Sequence, residues 1–351
     1  MPTDGVDDNC TFLAQALTRR GHTLKKARME WAERGSLRAL FDLWRQSAQW
    51  RGCWVMLQFT SLAWSRYGFP LSAWVAMKIL RWRGAHTAVF YHEPEAAPPR
   101  YPLDRIRSAC QAWVIRRLYF AVERPIFADP LTHIPWLPKN DAKSVFIPIG
   151  ASVPQPPPRS ATPQNGSSQK TIAVYCLSEA PYRSRELEDI GEALRCVSGN
   201  GLQIRVVFLG RGTDDAKEEI NRALGSLPVE LVNLGLQSAE SVSRWLGESD
   251  VMLCVRGQLF PRRSSAIAGI ACGVPIVAYA GGCEGTHVAE AGVDLVPYRD
   301  QASLGNALKQ LLEDRQRWEE FHRRSVRVQQ EYLSWDGIAD RFVKAFGLAQ
   351  G

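Results

Sequence analysis

Short apolar runs alternate with amphipathic, helix-like runs along both halves of the chain. The second half contains five strand-like runs: KTIAVYCLS, QIRVVFLG, VELVNLG, VMLCVRG and PIVAYAG. The first half contains three such runs: CWVMLQFT, HTAVFYHE and KSVFIPIG. This alternation is typical of parallel sheets whose two faces are covered by helices. The predicted fold class is therefore α/β, with two parallel-sheet, Rossmann-like domains.

One segment interrupts the alternation near the middle of the chain. The segment PQPPPRSATPQNGSSQ, residues 154–169, is rich in Pro, Ser, Gln and Gly, which is typical of a linker. It predicts one domain over residues 1–153 and a second over residues 170–333. Ligands of open parallel sheets bind outside the carboxyl ends of the strands. We therefore expect a ligand cleft between the two domains.

Charge is unevenly distributed between the halves. Residues 1–150 carry 21 Lys and Arg against 12 Asp and Glu, a net charge of +9, and hold nine of the twelve tryptophans. No nucleic-acid-binding motif accompanies this charge, so no nucleic-acid partner is expected. An anionic membrane surface or a phosphorylated substrate is the better functional interpretation, and a solvated basic face over a Trp-containing core is the alternative.

Cysteine spacing and hydropathy bear on the compartment. The eight cysteines include no C-x-x-C pair, which favours a reducing compartment over a disulfide framework or zinc site. Residues 53–80 come nearest to a membrane span, but Ser65–Gly68 and Pro70 divide them into two runs too short to cross a bilayer. The expected location is cytoplasmic, peripheral on the inner face of the cell membrane.

The segment RRSSAIAGIACGVPIVAY predicts an anion site at the front of a helix. Ser264 or Ser265 is suited to cap the helix, and Arg262 and Arg263 precede it. Free N–H groups, the positive end of the helix dipole and two guanidinium groups together suit a diphosphate. The alternative is an ordinary capped helix with two surface arginines.

Three further loops at predicted strand ends carry candidate diphosphate ligands. They contribute Arg183 and Arg185, then Gly210, Arg211 and Gly212, and then Arg256. Arginines at several strand ends of one sheet could converge on one anion. Each loop alone is a weak signal, because surface arginines are common and the two glycines could simply form a turn.

Two loops carry candidate contacts to a sugar. Glu284, Gly285 and Thr286 follow the predicted strand PIVAY, where Glu284 could accept hydrogen bonds from sugar hydroxyls. His92 and Glu93 end the predicted strand HTAVFYHE, where a histidine could bond a substrate hydroxyl or leaving group. A polar loop and a structural histidine are the alternatives. The remaining histidines have no partner at metal-ligand spacing, so no metal is expected.

Several of these stretches resemble a known family. The second half is similar to the C-terminal domain of retaining GT-B glycosyltransferases of family four, through SAESVSRWLGESDVMLCVRG, GIACGVPIVAYAGG and YLSWDGIADRF. In the first half, GVDDNCTFLAQALTRRGH, VFYHEP and SVFIPIGASVP are similar to its first loop and helix, its His-bearing strand and its last strand. The resemblance spans nearly the whole chain. It implies a GT-B fold in which residues 334–351 cross back onto the first domain.

The resemblance also implies roles for the candidate residues. The arginine, glycine and serine positions named above fall where the family binds the donor diphosphate, and Glu284 lies in the loop that approaches the donor sugar or base. His92 matches the histidine near the transferred sugar, with Glu93 beside it as a second catalytic candidate. No cofactor is implied beyond the nucleotide-sugar donor.

Two departures from the family pattern matter. The family's two glutamates, eight residues apart, correspond to Phe260 and Ala268, so the ribose contact expected from the second is lost. The family's opening strand is missing or shortened, because only Met1–Asp4 precede Gly5. The leading hypothesis is a retaining transferase that moves a sugar to a glycan or lipid-linked acceptor in cell-surface polysaccharide synthesis. The alternatives are a catalytically degenerate GT-B partner or scaffold protein and, less favoured, a sugar-nucleotide epimerase.

Overall fold

A computed structural model gives the fold of the chain. It describes residues 5–29, 31–65, 67–99, 101–156, 169–198 and 202–349. The chain divides into two compact units, one of Met1–Pro148 with Ile338–Gly351 and one of Ile149–Gly337. The predicted loss of an opening strand concerns residues 1–4, and most of the predicted linker is residues 157–168. Both lie outside the described residues.

The first unit is built on a four-stranded parallel sheet of order β1-β2-β3-β4. Its strands are β1 (Trp54–Phe59), β2 (His86–Tyr91), β3 (Arg124–Phe127) and β4 (Val145–Phe146). Its helices are α1 (Gly5–Thr18), α2 (Trp31–Arg34), α3 (Ser36–Gln46), α4 (Leu71–Trp82), α5 (Pro102–Ala121) and, from Ile338 onward, the last helix, Trp335–Phe346.

The two faces of this sheet are covered by different helices. Helices α3, α4 and α5 pack over one face, where Met77 and Leu118 join Phe59 and Tyr91 in one buried cluster. Successive strand residues point to opposite faces, so Phe90 lies on the other face, 6.1 Å from the ring of Phe342 in the last helix. Helix α1 contributes Leu13 to that second face.

The second unit is built on a six-stranded parallel sheet of order β10-β9-β8-β5-β6-β7. Its strands are β5 (Gln169–Tyr175), β6 (Gln203–Leu209), β7 (Val229–Gly235), β8 (Val251–Gln258), β9 (Ile276–Tyr279) and β10 (Val293–Val296). Its helices are α6 (Tyr182–Val197), α7 (Lys217–Leu224), α8 (Ala239–Glu248), α9 (Ser264–Ala271), α10 (His287–Glu290), α11 (Gln301–Glu313) and α12 (Arg315–Val328), followed by a π-helical turn (Gln329–Leu333) and α13 (Trp335–Phe346).

The predicted α/β fold class is confirmed, and each of the eight predicted strand runs contains a strand. Two strands escaped the sequence analysis. Strand β3 has only four residues and includes Pro125, and β10 carries Asp294 in the middle of its four residues. Runs this short and interrupted do not show the continuous apolar pattern of a buried strand.

Helix α9 lies against the sheet at very short range. All its residues from Ser265 to Ala271 are buried. A β-carbon added to Gly269 would lie 2.8 Å from Sδ of Met252 in β8 and 2.9 Å from Cδ1 of Ile276 in β9. Glycine therefore sets how closely the second half of α9 approaches the amino ends of β8 and β9.

Replacing Gly269 by leucine tests this close approach. We expect Gly269→Leu to lower the free energy of unfolding by about 1–3 kcal/mol, because the new side chain overfills a packed interface. The measurement is urea unfolding followed by circular dichroism. Gly5→Leu is the control, since no atom lies within 4 Å of a β-carbon added at the start of α1. Equal stability of the two variants would show that α9 has room to move away.

Candidate functional site

The order of strands in the second unit selects one place for a ligand. The chain passes from β5 through β6 to β7 on one side, then returns to β8 beside β5 and continues through β9 to β10 on the other. In open parallel sheets such a switch in direction leaves a crevice at the carboxyl ends of the two central strands. Cys176 directly follows β5, and Arg256 lies near the end of β8.

Three arginines gather beside this switch point. Burial lowers the pKa of the Arg263 guanidinium. The Cys254 thiol and Glu186 oppose this shift, whereas the like charges of Arg256 and Arg262 add to it. The two neighbouring guanidinium groups are therefore close enough to repel that of Arg263. A binding anion would relieve this repulsion, because it adds negative charge to that of Glu186.

Arg211 brings a further positive charge from the end of β6. Burial raises the pKa of the Cys176 thiol, and the backbone of Arg211 and the charges of Arg256 and Arg211 partly oppose the shift. The backbone N–H of Leu177 donates to the carbonyl oxygen of Arg211 at 2.9 Å, which joins the loops after β5 and β6. The structure thus brings together predicted arginines from two parts of this unit: Arg211 after β6, and Arg256, Arg262 and Arg263 between the end of β8 and α9.

Arg263 is held in place by a hydrogen bond, and Arg256 has a buried N–H donor that no acceptor of the described residues uses. Nη2 of Arg263 donates to the carbonyl oxygen of Gln258 at 3.1 Å. Nε of Arg256 is buried and has no hydrogen-bond partner within the described part of the chain. Buried polar groups are normally paired, so this N–H is a candidate ligand donor.

The predicted serine cap of α9 is wrong. Arg263 occupies the N-cap position, and no side chain of the described residues caps the helix. Ser265 is instead the second helical residue and is buried, with its hydroxyl beside the Cys254 thiol, whereas Ser264 is exposed. The N–H groups of the first turn consequently have no side-chain acceptor, which leaves them for an anion.

Arg183 and Arg185 occupy different environments. The Arg183 side chain is buried, and its Nη1 lies 2.9 Å from Oε1 of Glu219 in α7. Its Nε donates to the carbonyl oxygen of Ser178 at 3.0 Å. Arg185 is exposed. These contacts give Arg183 a role in joining α6 to α7, and diphosphate binding by either residue stays a prediction.

Gly210 and Gly212 are required by the backbone around them. Their φ angles are +90° and +79°, a region that residues with a β-carbon rarely adopt. A β-carbon at Gly210 would lie 2.7 Å from the ring of Tyr175, and one at Gly212 would overlap the carbonyl oxygen of Leu177. The turn interpretation therefore has a structural basis, and contact with the donor stays a prediction.

The loop after β9 holds the sugar-binding candidates. Glu284 is exposed, and its Oε2 accepts a hydrogen bond from the backbone of Gly282 at 2.8 Å. Gly285 has a φ of +71°. Thr286 is buried and donates its hydroxyl to the carbonyl oxygen of Cys283 at 2.5 Å. Of the three candidates, Glu284 and Gly285 are the ones exposed to a ligand.

The two positions without the family's glutamates differ in accessibility. Phe260 is 38% exposed, and the guanidinium of Arg262 lies 5.9 Å from its ring centre. The same ring is next to Gly282, whose added β-carbon would approach it to 2.7 Å. Ala268 is buried inside α9. An aromatic face between an arginine and a glycine-rich loop thus stands where a carboxylate was expected.

Glu186 belongs to this site although the sequence analysis did not select it. It is buried in α6, its Oε2 accepts a hydrogen bond from the backbone of Ser178 at 2.9 Å, and its charge acts on Arg263. No motif marks this glutamate in the sequence. Its position one helical turn after Arg183 was the available signal.

His92 is held firmly at the end of β2 in the first unit. Its ring is buried, lies 4.8 Å from the ring of Phe90, and places Nε2 2.7 Å from Oε1 of Gln58. Because an amide oxygen only accepts, Nε2 carries the proton in this pair. In the neutral ring Nδ1 is then the acceptor. Glu93 is exposed.

The described residues contain no group of three His, Cys, Asp or Glu side chains arranged to hold a metal ion. They also contain no helix with the length and apolar character needed to span a membrane.

The buried contacts of Arg183 generate a test. We expect Arg183→Gln to lower the free energy of unfolding by about 1–3 kcal/mol, because its partners are left without a charged donor. Arg195→Gln is the matched control on the same helix, since its pair with Glu192 is exposed on both sides and should matter little. Urea unfolding measures both. Equal effects would contradict a structural role for Arg183.

Solved structures of other proteins share the fold of this chain. No protein-family model matches the sequence, and no curated protein matches it. Among solved structures, HepE from Anabaena in complex with UDP-glucose is 11% identical, with a TM-score of 0.66, covering 99% of this chain and 97% of that one. A glycosyltransferase from Rickettsia africae has 12% identity and a TM-score of 0.66 over 99% and 95%. An α,α-trehalose 6-phosphate synthase from Burkholderia multivorans is 14% identical, with a TM-score of 0.62, covering 98% of this chain and 83% of that one. The chain has the GT-B fold that these structures share.

Proposed function

We propose that the protein is a glycosyltransferase that moves a sugar, with retention, from a nucleoside diphosphate sugar to a glycan or lipid-linked acceptor in cell-surface polysaccharide synthesis. One observation carries the proposal. Arg211, Arg256, Arg262 and Arg263 gather at the topological switch point of the second unit, next to the uncapped front of α9. The GT-B fold, shared with structures named as glycosyltransferases, supports this use of the cluster.

The chemistry of the cluster suits a diphosphate leaving group. When the bond to the sugar breaks, negative charge develops on the diphosphate. Fixed guanidinium groups and backbone N–H groups aimed at that charge stabilise the transition state without having to reorganise. We propose that Arg256 and Arg263 supply this stabilisation, with the first turn of α9, in place of a metal ion.

Two exposed features are suited to the rest of the donor. Phe260 presents an aromatic face on which a nucleobase could stack, and Glu284 presents a carboxylate to ribose or sugar hydroxyls. HepE is described in complexes with UDP and with UDP-glucose. A uridine diphosphate sugar is therefore the first donor to test.

His92 is the proposed contact to the transferred sugar. Gln58 fixes the orientation of the His92 ring through Nε2. An imidazole held in one orientation can position a sugar hydroxyl. Glu93, which is exposed next to His92, stays a second candidate.

A cytoplasmic location is part of the proposal. The eight cysteines, which all belong to the described residues, form no disulfide there, and Cys53 and Cys196 are exposed. Free exposed thiols suit a reducing compartment.

Nucleotide titration tests the donor site. We expect UDP, GDP or dTDP to bind, and Arg256→Gln and Arg263→Gln each to weaken the preferred nucleotide by roughly tenfold or more, because each removes a charge-assisted hydrogen bond. Isothermal titration calorimetry at low salt gives the affinities. Arg244→Gln is the control, since this arginine is exposed on α8. Unchanged affinity in both site variants, or no binding of any nucleotide, would remove the proposed site.

Turnover tests the catalytic part. We expect His92→Ala to lower kcat for donor turnover by roughly a hundredfold with little change in nucleotide affinity, because the histidine acts on the sugar and not on the diphosphate. Release of nucleoside diphosphate from the donor sugar gives the rate. His133→Ala, at an exposed position of the same unit, is the control.

The outcomes separate the competing functions. Nucleotide binding without donor turnover or transfer in the wild-type protein would favour the degenerate partner or scaffold protein. Interconversion of the free sugar nucleotide without an acceptor would identify an epimerase. Transfer with the anomeric configuration preserved supports retention, which nuclear magnetic resonance of the product reads directly.

A further inference from the structure

Helix α5 carries an apolar stripe on the side that faces away from the core. Leu103, Ile106, Trp113 and Phe120 are 78%, 64%, 41% and 68% exposed. Spacings of three and seven residues place them along one side of the helix. Val114, Ile115 and Leu118 on the opposite side enter the core. The helix is therefore apolar on two sides, and burial in the unit explains only one of them.

Helix α3 repeats this arrangement. Leu37, Phe41 and Trp44 are exposed and lie on one side, with the rings of Phe41 and Trp44 stacked 6.0 Å apart. The guanidinium of Arg83 lies 4.5 Å from the ring centre of Trp44 and 5.8 Å from that of Trp82, which is 73% exposed at the end of α4. The apolar surface thus continues from α3 onto α4.

Both stripes belong to one surface of the first unit. Helices α3, α4 and α5 form a single layer on one face of the sheet, because side chains from all three enter the same core cluster with the strands. The outward sides of one layer face the same direction. We call this outward surface the α3–α5 face. Exposed apolar side chains grouped on one surface are typical of an interaction site.

The helices that form the α3–α5 face are strongly basic. Its three helices contain eight basic residues and two acidic ones. Helices α1 and α13, which belong largely to the opposite face, contain four acidic residues and two basic ones. Helices α3, α4 and α5 therefore carry a net charge of +6, out of +9 for residues 1–150, and also expose aromatic and leucine side chains.

We propose that the α3–α5 face docks on the surface of an anionic lipid membrane. Aromatic and leucine side chains enter the headgroup region of a bilayer, and arginines and lysines around them bind anionic headgroups. The combination of exposed apolar stripes with a net charge of +6 on the same three helices favours this occupant over an apolar partner such as a second copy of the chain. The proposal stands apart from the donor site, because every residue it uses belongs to the first unit.

Vesicle flotation with the full chain tests the docking face. The probes are vesicles of phosphatidylcholine alone and of phosphatidylcholine mixed with an equal amount of phosphatidylglycerol. We expect the wild-type protein to float with the anionic vesicles and to be released by salt. The double variant Phe41→Ser with Phe120→Ser should partition at least about tenfold less, since two exposed rings no longer enter the bilayer.

A charge variant separates the electrostatic part. The triple variant Arg38→Gln, Arg105→Gln and Arg116→Gln should lose most of its preference for anionic over neutral vesicles. Its matched control carries the same changes at exposed arginines of the second unit: Arg222→Gln, Arg244→Gln and Arg327→Gln. The control for the apolar variant is Leu236→Ser with Val326→Ser, which are exposed in the second unit. Both controls should float as the wild-type protein does.

Three outcomes would overturn the proposal. The wild-type protein could fail to bind anionic vesicles, or the variants of the α3–α5 face could bind as their controls do. Light scattering could also reveal a dimer that Phe41→Ser with Phe120→Ser dissociates, with no vesicle binding, which would assign the face to a second copy. Nucleotide titration of the same variants keeps this test separate from the donor site, because a lost vesicle interaction with unchanged nucleotide affinity leaves the proposed function standing.

Discussion

Positive charge held close together at the end of one sheet is the constraint on which the rest of the site depends. Arg263 is partly buried among Arg256 and Arg262, and Glu186 is the carboxylate whose charge acts on it. Like charges in a partly buried site repel each other and are costly to keep. A hydrogen bond from Nη2 of Arg263 to the carbonyl oxygen of Gln258 holds one of them beside the end of β8. The proposed diphosphate would add negative charge to this arrangement.

The regular part of the fold could be predicted from the sequence because it depends on long apolar runs. Strands β5, β6 and β8 are buried on both faces and read as nearly continuous hydrophobic segments. Strands β3 and β10 could not be found in this way. Each is four residues long and includes a proline or an aspartate, so its position is set by pairing with a neighbouring strand rather than by its own pattern.

The sequence predicts which residues of the candidate site lie at the ends of strands, but not which partners their side chains contact. Arg256 and Arg263 were selected because parallel strands end at one edge, and the structure brings them together. Side-chain partners could not be foreseen. Arg183 looks equivalent to them in the sequence, yet Glu219 engages it, and that partner is 36 positions away along the chain. The same limit hid Glu186 and led to the wrong serine cap, since a buried hydroxyl beside Cys254 is a matter of tertiary packing.

The two missing glutamates change how a donor would be recognised. Ala268 is buried inside α9 and has no carboxylate, so it makes no ribose contact. At position 260 the chain offers an aromatic ring beside Arg262 instead. A ring stacks on any nucleobase, whereas a carboxylate selects hydroxyl groups by hydrogen bonding. Donor binding in this protein would thus rest more on phosphate charge and stacking than on the ribose, and its affinity would depend more strongly on ionic strength than in an enzyme that retains both carboxylates.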